Sequence, residues 1–229
     1  MEGLSNQPTV VDDVDLVGFL EMLLRQQPPR AELIVCCSLD EFMNRLLRVL
    51  PPREDGEPDF SVDPLNIPER TSNLWLTNPT IGNIQDFQGL SLHFCATVQY
   101  LQAFLALSPI PTAAPPPSVT GHTKPSERLR PTLAILSPVV AHKSTTQLSG
   151  QGLSRTFASA VEAAVRGHQR LVIFEEDKAL WDEDVPILNT TVRGVGADER
   201  AWVGRTVKVR QVAERFCLFK EGQNGSDKT

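Results

Sequence analysis

Three short apolar runs constrain this chain more than any other feature: residues 33–37 (Leu-Ile-Val-Cys-Cys), 132–136 (Thr-Leu-Ala-Ile-Leu) and 171–174 (Leu-Val-Ile-Phe). None alternates with polar residues, so as strands they must lie in a sheet covered on both faces, which is the signature of parallel α/β architecture. The stretches between them carry helical spacing. In residues 11–24, Val14, Val17, Leu20 and Leu24 fall on one side, and Asp12, Asp13 and Asp15 sit at the positive end of a helix dipole. Ser38-Leu-Asp-Glu41 has capping-box spacing ahead of Phe42, Leu46, Leu47 and Leu50. Residues 90–107 are expected to be helical, with Leu92, Cys95, Val98, Leu101 and Leu105 aligned. Residues 153–167 are expected to form an alanine-rich helix with Phe157, Val161, Ala164 and Val165 inward. A further strand is expected at residues 74–77.

The pattern changes near the C-terminus. Val185-Pro-Ile-Leu188 suits a strand. In residues 202–210, Arg205, Val207 and Val209 alternate with Thr206, Lys208 and Arg210, and residues 214–220 give another short strand. The expected fold is α/β: a mostly parallel sheet flanked by helices, closed by a C-terminal antiparallel β-hairpin. A length of 229 residues with 41% hydrophobic content suits one domain spanning 1–229. Five prolines in residues 51–68 and seven in residues 108–131 predict flexible loops at 51–70 and 108–131, and a disordered tail is expected at 222–229.

Charge and motifs exclude more than they assign. The net charge of −6 gives the chain as a whole no basic footprint for nucleic acid, but residues 193–220 carry seven basic residues against three acids. A polyanion contact is therefore sought there, with Arg205, Lys208 and Arg210 as the candidate nucleic-acid-binding residues. Lys208 and Arg210 share a face of the expected strand, and Arg205 lies on the other. The strand-to-helix junction at Cys37 to Asp40 lacks the glycine and lysine of a phosphate loop and carries acids instead. His93, His122, His142 and His168 have no zinc-ligand spacing, with His93 expected at the boundary between core and surface, and no nucleophile elbow occurs. Glu175, Glu176 and Asp177 read as a polar strand end facing solvent. Cys36, Cys37, Cys95 and Cys217 form no C-x-x-C pair and are expected to be buried free thiols. No apolar run is long enough to cross a bilayer, so no membrane contact is expected. No catalytic residue, metal ligand or cofactor is assigned.

Residues 131–176 resemble the central part of the RecA-type recombinase core: a buried strand, a polar loop with a glycine pair, a helix and another buried strand. The loop run Ser149-Gly-Gln-Gly-Leu-Ser154 stands where that family carries a Ser-Gly-x-Gly-x-Leu-Ser type sequence, and residues 202–220 are similar to the late hairpin of the eukaryotic paralogues. The junction after Cys37 is taken as the Walker A position and lacks its residues. The strand at residues 132–136 is followed by Ser137 where the Walker B acid would stand. The resemblance is therefore to paralogues without Walker motifs, such as subunits of Shu-type mediator complexes. It implies a RecA-like, non-enzymatic subunit of a heteromeric complex assisting homologous recombination and DNA repair in the nucleus. Its partner would be another RecA-like protein, with single-stranded or branched DNA met through the complex. The alternatives are an Elongator-type accessory subunit acting in tRNA modification, with cytoplasmic location, and a scaffold protein that touches no nucleic acid.

Overall fold

A computed structural model of the chain describes residues 7–25, 31–49, 88–107, 130–143, 145–188 and 205–220. The expected loops at 51–70 and most of 108–131, the strand at 74–77 and the tail at 222–229 lie outside the described residues.

The core is a six-stranded, wholly parallel sheet. Its strands are β1 (Thr9–Val11), β2 (Ala31–Val35), β3 (Leu90–Phe94), β4 (Thr132–Leu136), β5 (Arg170–Phe174) and β8 (Leu218–Lys220), in the order β3-β2-β4-β5-β1-β8. Ile34 stands opposite Ile135 and Ile135 opposite Ile173. The apolar runs of the sequence are thus the three central strands, and each is divided between two cores. Ile34, Leu133, Ile135, Leu171 and Ile173 point to one face; Leu33, Val35, Ala134, Leu136, Val172 and Phe174 point to the other. That division is why no polar residue interrupts them.

The helices sort by the direction the chain travels, as right-handed crossovers require. Helices α1 (Leu16–Leu24) and α2 (Leu39–Val49) follow β1 and β2, whose connections run toward β3, and both pack on the Leu33 face. Helices α3 (Val98–Leu107), α4 (Pro138–Lys143), α5 (Gly150–Arg166) and α6 (Val209–Ala213) lie on connections running toward β8 and cover the Ile34 face. Phe19 of α1 stacks on Phe174 at 4.6 Å between ring centroids, and Phe42 of α2 meets Phe94 at 5.8 Å.

The first helix is shorter than its periodicity suggests. Val10 and Val11 belong to β1, between β5 and β8, and Asp15 caps α1 by accepting from the Gly18 amide at 2.7 Å. Residues 90–107 are not one helix either. Leu90–Phe94 pairs with β2, and the helix begins at Val98, because backbone pairing at a sheet edge outweighs a weak helical stripe. The antiparallel pair near the C-terminus is made by β6 (Asp184–Pro186) and β7 (Thr206–Lys208). It forms a ribbon separate from the main sheet, while β8 joins the parallel sheet beside β1. The strand in residues 202–210 stops at Lys208, where the amide of Val209 binds the Glu183 carbonyl at 3.1 Å and α6 begins.

Two glycines fix how α5 starts. A Cβ on Gly152 would stand 2.1 Å from the Gln147 carbonyl oxygen, and one on Gly150 would stand 2.9 Å from Val207 on the ribbon. The Ser149-Gly-Gln-Gly run is therefore explained by packing: Ser149 accepts from the Gly152 amide at 3.0 Å, and the glycines let the helix start against its neighbours.

Candidate functional site

In an open parallel sheet, ligands bind beyond the carboxyl ends of the strands where neighbouring connections leave toward opposite faces. Here that point falls between β2, leading to α2, and β4, leading to α4. Cys36, Cys37, Ser137 and, at the end of β5, Glu175 gather there.

Glu175 dominates the site. It is fully buried, and its Oε2 accepts from the Val139 amide at 2.9 Å and the Val140 amide at 3.4 Å. The carboxylate thus takes the free amides at the start of α4, as an external anion does at a helix N-terminus. The hydroxyl of buried Ser137 lies close enough to favour the charged carboxylate. Burial pushes the Glu175 carboxyl up to about 7, with the two amides, the Ser137 hydroxyl and Arg45 pulling the other way. Ser137 has φ 58°, a left-handed conformation that a serine adopts at a cost. It sits where β4 must turn into α4, with its amide bonded to the Phe174 carbonyl at 2.8 Å.

The buried position of Glu175 corrects the expectation that the strand-end acids face solvent. That expectation holds for Glu176 and Asp177, which are exposed, but Glu175 continues the β5 run inward and is held by α4. Glu176 pairs with Arg45 of α2 at 3.2 Å, and Arg45 also binds Glu41 one turn before it. Burial raises the Cys36 thiol well above its ordinary range and raises that of Cys37, where nearby Arg45 acts in the opposite direction. All four cysteines are buried and free, as expected. At the β2–α2 junction the Ser38 half of the expected capping box is made, the Glu41 amide donating to Ser38 Oγ at 3.2 Å, while the Glu41 carboxylate binds Arg45.

The histidines divide. His142 is fully buried, with one ring nitrogen 3.1 Å from the Gln147 carbonyl and the other 3.0 Å from Thr156 Oγ1. Burial lowers its pKa against the hydrogen bond to Gln147. His93, expected on a helix, lies in strand β3, half-buried and 3.2 Å from Glu32, at the expected boundary between core and surface. Among the described residues, no group of three or more His, Cys, Asp or Glu side chains could hold a metal ion.

The candidate nucleic-acid residues occupy three different settings. Arg205, just before β7, is exposed and has no side-chain partner among the described residues. Lys208 lies on the opposite face of that strand, 3.8 Å from Asp182. Arg210 belongs to α6 rather than to a strand; it bonds Asp12 at 3.1 Å and covers the Phe219 ring at 4.3 Å. The sequence gives no direct signal for the Arg210–Asp12 pair, since its partners are separated by almost the whole chain and meet only because β1 and β8 are neighbours.

The fold and this site define a parallel, doubly covered α/β protein whose carboxyl edge is filled by its own acid. No protein-family model, curated protein or solved structure matches the chain. No helix among the described residues is long and apolar enough to cross a membrane.

Proposed function

We propose that the chain is a RecA-like subunit without catalysis of its own, acting in a heteromeric complex that assists homologous recombination and DNA repair. The observation that carries the reading is Glu175, whose carboxylate takes the α4 amides at the switch point of the sheet. A phosphate there would meet a donor set that Glu175 already occupies. The same holds beside it: Ser38 and Glu41 close the start of α2 on themselves, and Asp12 at the end of β1 is bound to Arg210. With these positions committed internally, the molecule works by docking. Its partner is a second RecA-like protein. Arg205 and Lys208 supply the exposed cations for DNA, while Arg210 chiefly ties α6 to β1.

So few cations give weak, salt-sensitive contacts, and the partner contributes most of the DNA surface. The isolated protein is expected to shift single-stranded DNA poorly at ~150 mM salt, and calorimetry is expected to register no ATP binding. Affinity purification from the native cell should return a recombinase-like subunit. Tight ATP binding, or co-purification with tRNA-modifying proteins instead, overturns the proposal.

A further inference from the structure

A cavity of about 350 Å³ opens between the start of α5, the β6–β7 ribbon and α6. Its aliphatic walls are Ile187, Leu188, Val207 and Val212, and its mouth carries Gln151, Ser154, Gln211 and Arg215. Both Ile187 and Leu188 are exposed, at 39% and 57%. The frame is firm. The Gln151 amide donates to the Ile187 carbonyl at 2.9 Å, the Ile187 amide donates to the Arg205 carbonyl at 3.0 Å, and Gly150 lets α5 approach Val207.

Arg215 is the charged residue of the lining among the described residues, with two more arginines on the adjoining elements. Arg215 lines the opening, Arg155 follows Gln151 by one turn on α5, and Arg205 shares the strand face of Val207. None of the three has an ion-pair partner among the described residues, in contrast to Arg45 and Arg210. We propose that this cavity receives an extended acidic segment of a partner protein, seating one branched apolar side chain between Ile187, Leu188 and Val207 with a neighbouring carboxylate on Arg215. The size lies at the small end for ligand sites and suits a short segment. The two glutamines can bond a peptide's backbone amides at the mouth. A nucleic acid strand fits less well, because no aromatic ring among the described residues lines the walls to stack a base.

The inference rests on the docking reading above. Its test is selection of a random peptide library displayed on phage against the full-length protein. The expected winners carry Leu, Ile or Val within a few residues of Asp or Glu. A synthetic copy of the winner, followed by fluorescence anisotropy, should bind about 10-fold more weakly to Arg215→Glu and to the cavity-filling Gln211→Trp, a change of about 1.4 kcal/mol. Gln211 is exposed, so that variant keeps the test valid if Arg215→Glu folds poorly. Basic or purely polar winners, or binding unchanged in both variants, overturn the inference. So does displacement of the peptide by oligothymidylate with equal loss of oligothymidylate binding in the variants, which would mark a nucleic-acid groove. If the cavity fails these tests while the native chain still co-purifies with a recombinase-like subunit, the proposed function stands and only the peptide site falls.

Discussion

Helix α2 has the stronger apolar periodicity and helix α5 the deeper burial. Of the 17 residues in α5, eight are buried, including Leu153, Phe157, Ala160 and Ala164, and the helix lies between the sheet, α3 and α6. In the 11 residues of α2 only Phe42 is buried, while Leu39, Met43 and Leu47 stand 52%, 45% and 59% exposed. A stripe of apolar residues states that a helix has a face to cover; what covers it is decided by neighbours. On the Ile34 side four helices share the sheet. On the Leu33 side α1 takes the centre, and α2 meets the sheet through Phe42, leaning on Phe94 of edge strand β3. Stability should therefore be concentrated around α5 and nearly indifferent to the outer side of α2.

The largest effect is expected at the start of α5. Gly152→Val would drive a side chain into the Gln147 carbonyl, already 2.1 Å from a bare Cβ, and should cost about 4 kcal/mol or more in urea unfolding of the full chain. A loss under ~1 kcal/mol would mean that the turn before α5 yields easily, and the contrast with α2 would weaken. Phe157→Ala comes next. It empties a site 1% exposed, facing Phe216 at 6.3 Å, and should cost about 3 to 5 kcal/mol by the same measurement.

Glu175 sharpens the comparison where the two layers meet, since it holds α4 on one side while its neighbour Glu176 pairs with Arg45 of α2. Its folded-state carboxyl is raised to about 7 from an ordinary value near 4.5, so between these values the folded state binds the extra proton. Its contribution is complete below the ordinary value and fades as pH rises toward and through about 7, by up to ~3 kcal/mol. Glu175→Gln keeps an oxygen for the α4 amides and cannot ionise. The variant should show a flatter stability profile than the wild type between pH 5 and 8. An unchanged slope would place the raised titration elsewhere.

The central strands were legible because burial on both faces leaves an uninterrupted apolar run that few other structures produce. The Ser38 cap was legible because it is local. By contrast, β1 and β3 were not: each is short, and Val10, Val11 and Leu92 also fit the helical spacing that follows them. Their strand character comes from β5, β8 and β2 beside them, which sequence spacing does not display. The site divided along the same line. That acids stand at Cys37–Asp40 where a phosphate loop carries glycine and lysine could be read residue by residue. The inward turn of Glu175 could not, because an acid after an apolar strand usually reaches water. Nor could the alternation around Val207 disclose that the strand ends at Lys208, where Glu183 draws the chain into α6.

The smallest effect belongs to the outer side of α2. Met43→Ser and Leu47→Ser remove apolar surface that folding leaves half in water, so each should change stability by no more than ~0.5 kcal/mol. The two sites are i and i+4 neighbours on one helix face, so the double variant should depart from the sum of the singles by no more than about 0.5 kcal/mol. Urea unfolding of both single variants and the double variant checks this. A loss above ~1.5 kcal/mol in either single variant would show that the chain covers this face itself, and the contrast between α2 and α5 would then fail. If stability is unchanged while the double variant co-purifies with less of its native partner, α2 differs from α5 only in meeting its neighbour on another chain.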